Sequence, residues 1–201
     1  MSELAIAAPL RLEQAMIRAG ARRARVNAAA RARVHRTGMG PSRARAAVPR
    51  LLGDPALALL VMGFCGGLDD VGEVGDAVVA DAVQGPEGEL VECSGAERLE
   101  AVLRRGGLRV RRGTVASVPR LAMGETRTRL REGGAIAVDM ESVWLAPGAG
   151  TRPFAVLRIV SDTPSRELTR PLATVTGIAR ASAALARAAG CLHDGGPLVW
   201  S

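Results

Sequence analysis

Four turn-like segments, Gly38–Ser42, Gly63–Gly67, Asp139–Ser142 and Ser161–Pro164, each follow a short run that reads as a strand. Such runs alternate along the chain with helical patterns, and strands that alternate with helices restrict a chain to an α/β sandwich. Leu4–Ala8 reads as a buried strand and Leu12–Ala19 as a helix ending at Gly20. Val34–Thr37 leads through the glycine turn into a helix over Arg43–Leu52. Ala56–Met62 is a strand, and Gly63–Leu68 after it reads as a tight loop whose small residues let backbone approach a ligand. Asp76–Val83 is a valine-rich strand, Gly85–Gly88 a turn followed by polar, exposed chain, Ala96–Arg105 a helix and Leu108–Val118 extended. Ala135–Val138 and Phe154–Val160 are strands, an apolar helical stretch runs to Ala146, and Pro171–Gly190 is an Ala-rich helix with its proline in the first turn.

At 201 residues, with 48% apolar side chains and no internal repeat or linker, residues 1–201 fit a single domain with a real core. Only 2% of residues are aromatic and tyrosine is absent, so Ala, Val, Leu and Ile must do the packing.

A net charge of +7 ordinarily points to a phosphate-bearing partner. Here every basic side chain is arginine, amid abundant Ala, Gly, Pro and Val, so compositional bias accounts for much of the charge. The densest run, Arg18 to Arg36, includes Arg22, Arg23, Arg25, Arg31 and Arg33 and holds no aromatic residue on which a base could stack. A solvated or membrane-facing basic surface is expected, and no nucleic-acid partner. Cys65, Cys93 and Cys191 are odd in number and lack a C-x-x-C pair, which argues against a disulfide framework or a zinc site. With no secretory-type start and no run near the roughly 18 apolar residues of a membrane span, a cytoplasmic protein is expected, at most peripheral to a membrane.

Ligands of open α/β sheets collect at the carboxyl ends of strands, where the four turns sit. Glu141 and Asp162 lie at such ends, and two carboxylates across one pocket suffice for acid and base chemistry. Spacing alone favours the plainer reading, in which Glu141 decorates a helix start and Asp162 caps the Thr163-Pro164 turn. His35 and His193 are too isolated to form a catalytic or metal pair, Trp144 reads as packing, and Cys65 has no neighbouring histidine in its motif to activate it.

Taken in order, Gly66-Gly67-Leu68, Val74-Gly75-Asp76 with Val78-Val79, Val138-Asp139-Met140-Glu141-Ser142 and Leu157-Arg158-Ile159-Val160-Ser161-Asp162 resemble the purine nucleoside phosphorylase and methylthioadenosine/adenosylhomocysteine nucleosidase superfamily. The resemblance covers most of the chain. Thr37-Gly38-Met39-Gly40-Pro41 together with Val138–Ser142 looks most like the hopanoid-associated branch, linked to release of adenine from adenosylhopane. It implies a three-layer α/β/α sandwich with a central mixed β-sheet, cleavage of a purine N-glycosidic bond, no metal or organic cofactor, and a homo-oligomer. The purine nucleoside could be lipid-linked, with peripheral membrane contact to match. Glu141 would accept ribose hydroxyls, with Met140 beside the sugar. Asp162, supported by Ser161 and protonated when substrate binds, would protonate purine N7 and improve the leaving group. The backbone of Cys65 and Gly66 would lie along the base, with Gly113–Ser117 on its other side.

Glu13 falls near the acid that orients the attacking water in the nucleosidases, and reads equally as an ordinary acid in a helix's first turn. The arginine and serine that bind phosphate in the hexameric phosphorylases are replaced here by Val61 and Phe64. Inorganic phosphate as co-substrate would then rest on the amides of Gly38 and Gly40 and an arginine elsewhere. Water and phosphate both remain open as nucleophile. Adenosylhopane, futalosine and methylthioadenosine remain open as substrates, beside a catalytically silent nucleoside-binding protein.

Overall fold

The computed structural model describes residues 4–24, 32–165 and 171–194; Arg25 and Arg31 of the basic run and residues 195–201 of the tail lie outside them. The organising strand is β3 (Ala58–Gly67). Leu60 and Met62 on one face and Leu59 and Val61 on the other are fully buried in two separate clusters. A strand apolar on both faces requires a helical layer on each.

On one side β1 (Leu4–Ala8) pairs parallel with β3, and β2 (Arg33–Arg36) parallel with β1. On the other, β8 (Phe154–Asp162) runs parallel to β3 and antiparallel to β4 (Ala77–Gln84). β4 pairs with β5 (Leu90–Glu92) and with β6 (Val110–Ser117), and β6 with β7 (Ala135–Asp139). β7 returns antiparallel to the far end of β3, matching Gly66 with Val138 and Gly67 with Ala137. β3, β8, β4, β6 and β7 therefore form a closed circuit of pairings, which brings the carboxyl ends of β3, β7 and β8 to one place.

Helices α1 (Arg11–Arg23), α3 (Ala96–Arg105) and α6 (Pro171–Asp194) cover one face of this mixed sheet. Helices α2 (Pro41–Leu52) and α5 (Ser142–Leu145), with a 3-10 turn over 146–149, cover the other, and α4 (Glu125–Glu132) packs on β7. The expected three-layer α/β/α sandwich with a central mixed sheet is what forms.

Several element boundaries differ from the sequence reading, each for a physical reason. The segment Gly63–Leu68 is not a loop: β3 continues to Gly67, because β8 pairs with it through Cys65 and Gly66 and β7 takes the other edge of its end. A bulge between Cys65 and Gly66 takes up the register change. The glycine at 63 answers crowding, since a Cβ there would lie 2.5 Å from Glu13 Oε1 and 2.9 Å from Arg158 Nη1. Helix α1 does not stop at Gly20; a side chain there would run into the Ala186 carbonyl of α6, so this glycine permits close helix packing. Trp144 is buried packing, with the Arg45 guanidinium 5.5 Å over its ring.

Candidate active site

The first turn of α1 and the ends of β3, β7 and β8 enclose a pocket of about 220 Å³. It brings together Glu13, Cys65, Gly66, Met140, Glu141, Ser161 and Asp162, all singled out in the sequence. Pro9, Leu10, Leu12, Met39, Leu121 and Ile178 complete walls that are mainly apolar. An apolar cleft with a few convergent polar groups is the usual form of a small-molecule site.

At one end the polar groups are organised by Arg158, fully buried in the middle of β8. Its Nη2 lies 2.7 Å from Asp139 Oδ2, 3.5 Å from Glu141 Oε2 and 2.9 Å from the Ser142 hydroxyl. Asp139 anchors the turn after β7. It accepts from the Ser117 hydroxyl at 2.6 Å, from the amides of Glu141 and Ser142 at 3.2 Å each, and from the Ser142 hydroxyl. Glu141 is aimed inward by this turn and accepts from the Gly40 amide at 2.9 Å. Glu13 reaches the same end from α1, its carboxylate accepting from the amides of Phe64 at 2.7 Å and Leu10 at 2.6 Å.

Burial dominates the electrostatics here. Desolvation raises the Glu13 carboxyl above its ordinary value, opposed by the Arg158 charge and the two amides. Glu141 is pushed up to about 7, first by burial and then by the Asp139 and Glu13 charges, with Arg158 and the Gly40 amide pulling the other way. Three carboxyl groups thus share one guanidinium. A carboxyl brought toward neutrality is suited to taking a proton.

At the other end Asp162 is held by two partners. Arg127 of α4, itself buried, pairs with Oδ2 and also donates to the carbonyls of Gly67 at 3.2 Å and Ala122 at 3.0 Å. The Ser161 hydroxyl lies 2.8 Å from Asp162 Oδ1 and 3.0 Å from the Cys65 carbonyl, tying the ends of β8 and β3 together. Burial drives the Cys65 thiol far above its ordinary value, which keeps it an inert wall.

The structure separates other candidates from the pocket. Gly38 and Gly40 have positive φ (91° and 87°), as the turn before α2 requires, but their amides are engaged, Gly38 with Pro9 O at 3.1 Å and Gly40 with Glu141. In this structure neither lines the pocket; Met39 between them does, and Gly40 orients Glu141, so the turn offers no free donors there. Gly113–Ser117 lies in β6 and contributes Ser117 as a support for Asp139, while Leu121 beyond the strand lines the pocket. His35 pairs with Asp54 at 2.7 Å, away from the pocket. Among the described residues no group of three or more His, Cys, Asp or Glu could hold a metal ion, and no helix is long and apolar enough to cross a membrane.

Sequence reasoning passed over Arg127, Asp139 and Arg158 as agents. Asp139 and Arg158 stand inside quoted motifs, and a charge within an otherwise apolar strand run is a signal for Arg158. Arg127 gives none, being one of three arginines in Arg127-Thr128-Arg129-Leu130-Arg131.

The model of the phosphorylase superfamily matches residues 17–193. Among solved structures, the futalosine hydrolase of Helicobacter pylori strain 26695 is similar at 17% identity, covering 96% of this chain and 98% of that one, with a TM-score of 0.79. The 5'-methylthioadenosine/S-adenosylhomocysteine nucleosidase of the same organism matches at 17% identity over 94% and 96%, with a TM-score of 0.77. The S-adenosylhomocysteine nucleosidase of Streptococcus pyogenes, in complex with 5-methylthiotubericidin, matches at 18% over 96% and 97%, with a TM-score of 0.75. No curated protein matches by sequence.

Proposed function

Because this chain belongs to the phosphorylase superfamily, we propose that it cleaves the N-glycosidic bond of an adenine nucleoside with water as the nucleophile. The observation that carries this reading is the division of one apolar pocket into two acidic poles, each tied to its own buried arginine: Glu13 and Glu141 around Arg158, and Asp162 on Arg127. The similar solved structures named as methylthioadenosine/adenosylhomocysteine nucleosidase and futalosine hydrolase point the same way.

In this mechanism Glu141 accepts the ribose hydroxyls and Met140 lies against the sugar. Asp162, paired with Arg127 in this structure and required to take a proton from solvent when substrate binds, gives that proton to purine N7 as the C1'–N9 bond breaks and its electron pair passes to the base. Water attacks C1' and yields a proton to Glu13, leaving free adenine and the free sugar. Charge develops on both halves of the substrate in such a transition state, so polar groups fixed at both ends act where they count. Water is favoured over phosphate because Glu13, Asp139 and Glu141 surround a single guanidinium, a setting that repels a second anion, and because Val61 and Phe64 offer no anion ligand.

The nucleoside is adenosylhopane or one with a comparably long apolar 5' substituent. In support, large apolar residues stand exposed around the mouth: Leu10, Leu12, Met39 and Leu121 line the pocket and Met123 stands nearby in sequence. Such a collar also suits peripheral contact with a membrane. The test is incubation of the purified protein with adenosylhopane, methylthioadenosine and futalosine, with and without phosphate, followed by chromatography of the free base. Phosphate-independent release, fastest from adenosylhopane, is expected. Release that requires phosphate would overturn the hydrolytic reading, and no release from any of the three would overturn the activity.

A further inference from the structure

The Asp162 end of the pocket holds few groups able to read a base. Apart from Glu13, Asp139 and Glu141 around Arg158, the charged and hydroxyl-bearing side chains lining the pocket among the described residues are Ser161 and Asp162. Leu121, Val138 and Ile178 supply apolar wall, and Cys65 and Gly66 lie in the ladders that join β3 to β7 and β8.

Arg127 reduces that pair further. It is the buried residue of α4, and its guanidinium is fixed on three sides: Nε donates to the Ala122 carbonyl at 3.0 Å, Nη1 to the Gly67 carbonyl at 3.2 Å, and Nη2 to Asp162 Oδ2. A Cβ at Gly66 would lie 2.9 Å from Nη2, so the guanidinium rests behind the backbone that lines the pocket without lining it itself. The two side chains are 4% and 3% exposed, and breaking a pair so deeply buried is costly. Oδ2 is therefore committed to Arg127, and Oδ1 is the oxygen left for a ligand. Ser161 does not block it. That hydroxyl has one hydrogen and two acceptors in reach, Oδ1 at 2.8 Å and the Cys65 carbonyl at 3.0 Å, and it turns to the carbonyl when Oδ1 carries the proton.

Purine N7 is an acceptor whatever stands at position 6, whereas a 6-amino group donates and a 6-oxo group accepts. Telling the two apart needs a second fixed group opposite position 6, and a site built that way discriminates by about 10⁴-fold or more, because the wrong base leaves the group unpaired. Here the carboxylate oxygen able to accept from a 6-amino group is turned onto the guanidinium.

We propose that Arg127 is a positioning residue that sets base specificity through Asp162: by holding Oδ2 it leaves a single oxygen for N7, so the pocket cleaves 6-oxopurine as well as 6-aminopurine nucleosides. The inference rests on the nucleoside-cleaving reading and widens its substrate class. The proton passes from Asp162 to N7, and the C1'–N9 electron pair to the base, identically in both series.

The experiment measures kcat/KM for 5'-methylthioadenosine and 5'-methylthioinosine, which differ only at position 6, by chromatography of the released base on the full chain. The two values should agree within about tenfold, and a larger difference in either direction overturns the inference while leaving cleavage of the favoured nucleoside intact. Arg127→Met frees Oδ2 to accept from a 6-amino group and should move the ratio towards methylthioadenosine by about tenfold or more, whereas Arg127→Lys, which keeps a cation beside Oδ2, should hold the wild-type ratio. Loss of folded protein lowers both rates alike and does not move the ratio. A ratio in Arg127→Met that is unchanged, or shifted towards methylthioinosine, overturns the role of Arg127; should that variant not fold, the wild-type ratio decides the specificity by itself. Calorimetric titration of wild type with free adenine and free hypoxanthine separates the two readings. Release from neither nucleoside with both bases bound within about tenfold of one another overturns the activity and supports this account of the base end, and release from neither with binding of one base or of none overturns both.

Discussion

Replacing Glu141 by glutamine should flatten the dependence of stability on pH between about pH 4.5 and 7. In the unfolded chain this carboxyl gives up its proton near 4.5; in the folded protein burial holds the proton until about 7. Between those values the native state binds more protons than the unfolded state, so stability falls as pH rises. Below about 4.5 both states are protonated and the group contributes nothing; above about 7 the penalty is complete. At about 1.4 kcal/mol per pH unit of separation, the full effect is about 3 kcal/mol. Glu13 shifts in the same direction and adds to the wild-type slope, whereas Asp54 and Asp69 are lowered from 3.8 and act below this window with the opposite sign.

Glutamine keeps the oxygen that accepts from the Gly40 amide, so Glu141→Gln removes the titration with little change of shape. The assay is urea unfolding of wild type and variant at half-unit steps from pH 4 to 8. Wild type should lose about 3 kcal/mol or more across the window and the variant about 3 kcal/mol less than that. A wild-type stability that stays level or rises from pH 4.5 to 7, or a variant that keeps the full slope, would refute the reasoning.

Three other outcomes follow from the site. Asp162→Asn should lower kcat for base release by about 10²- to 10⁴-fold with KM far less affected, the range for loss of a general acid, as measured by steady-state chromatography. Arg127→Met leaves the Asp162 carboxylate buried without its partner and should cost about 3–5 kcal/mol by urea unfolding, most of it regained in Arg127→Met/Asp162→Asn. Gly63→Ala places a methyl group 2.5 Å from Glu13 Oε1, so kcat should fall by about tenfold or more as Glu13 is displaced, visible as a changed pH profile of base release.

The parts of the molecule that could be read from the chain are those where one physical demand dominates. Apolar runs such as Ala56–Met62 and Phe154–Val160 announce buried strands because both faces are covered, and Ala96–Arg105 is a helix over its expected span. Charge-rich Glu125–Glu132 gives no such signal. Its helical face is set by Arg127 reaching inward to Asp162, a contact 35 residues away that no local pattern encodes. Glycine was the other source of error, because one residue type serves two purposes: Gly20 and Gly63 mark close approach of α6 and of Glu13, where local reasoning sees a stop and a loop.

The carboxylates were legible for a related reason. Glu141, Ser161 and Asp162 sit at the points where apolar runs end, so their place follows from the strand boundaries alone. The guanidiniums that govern them lie either inside a strand, as Arg158 does, or on a helix with an otherwise charged surface, as Arg127 does. Both are more deeply buried than an unpaired charge could be, with side chains 0% and 4% exposed. Their burial is possible only because acids from other elements are already there, and the acids are held inward only because the arginines are. Each pole is therefore a property of the assembled strand ends, and the closed circuit through β3, β8, β4, β6 and β7 is what brings those ends within reach of one substrate.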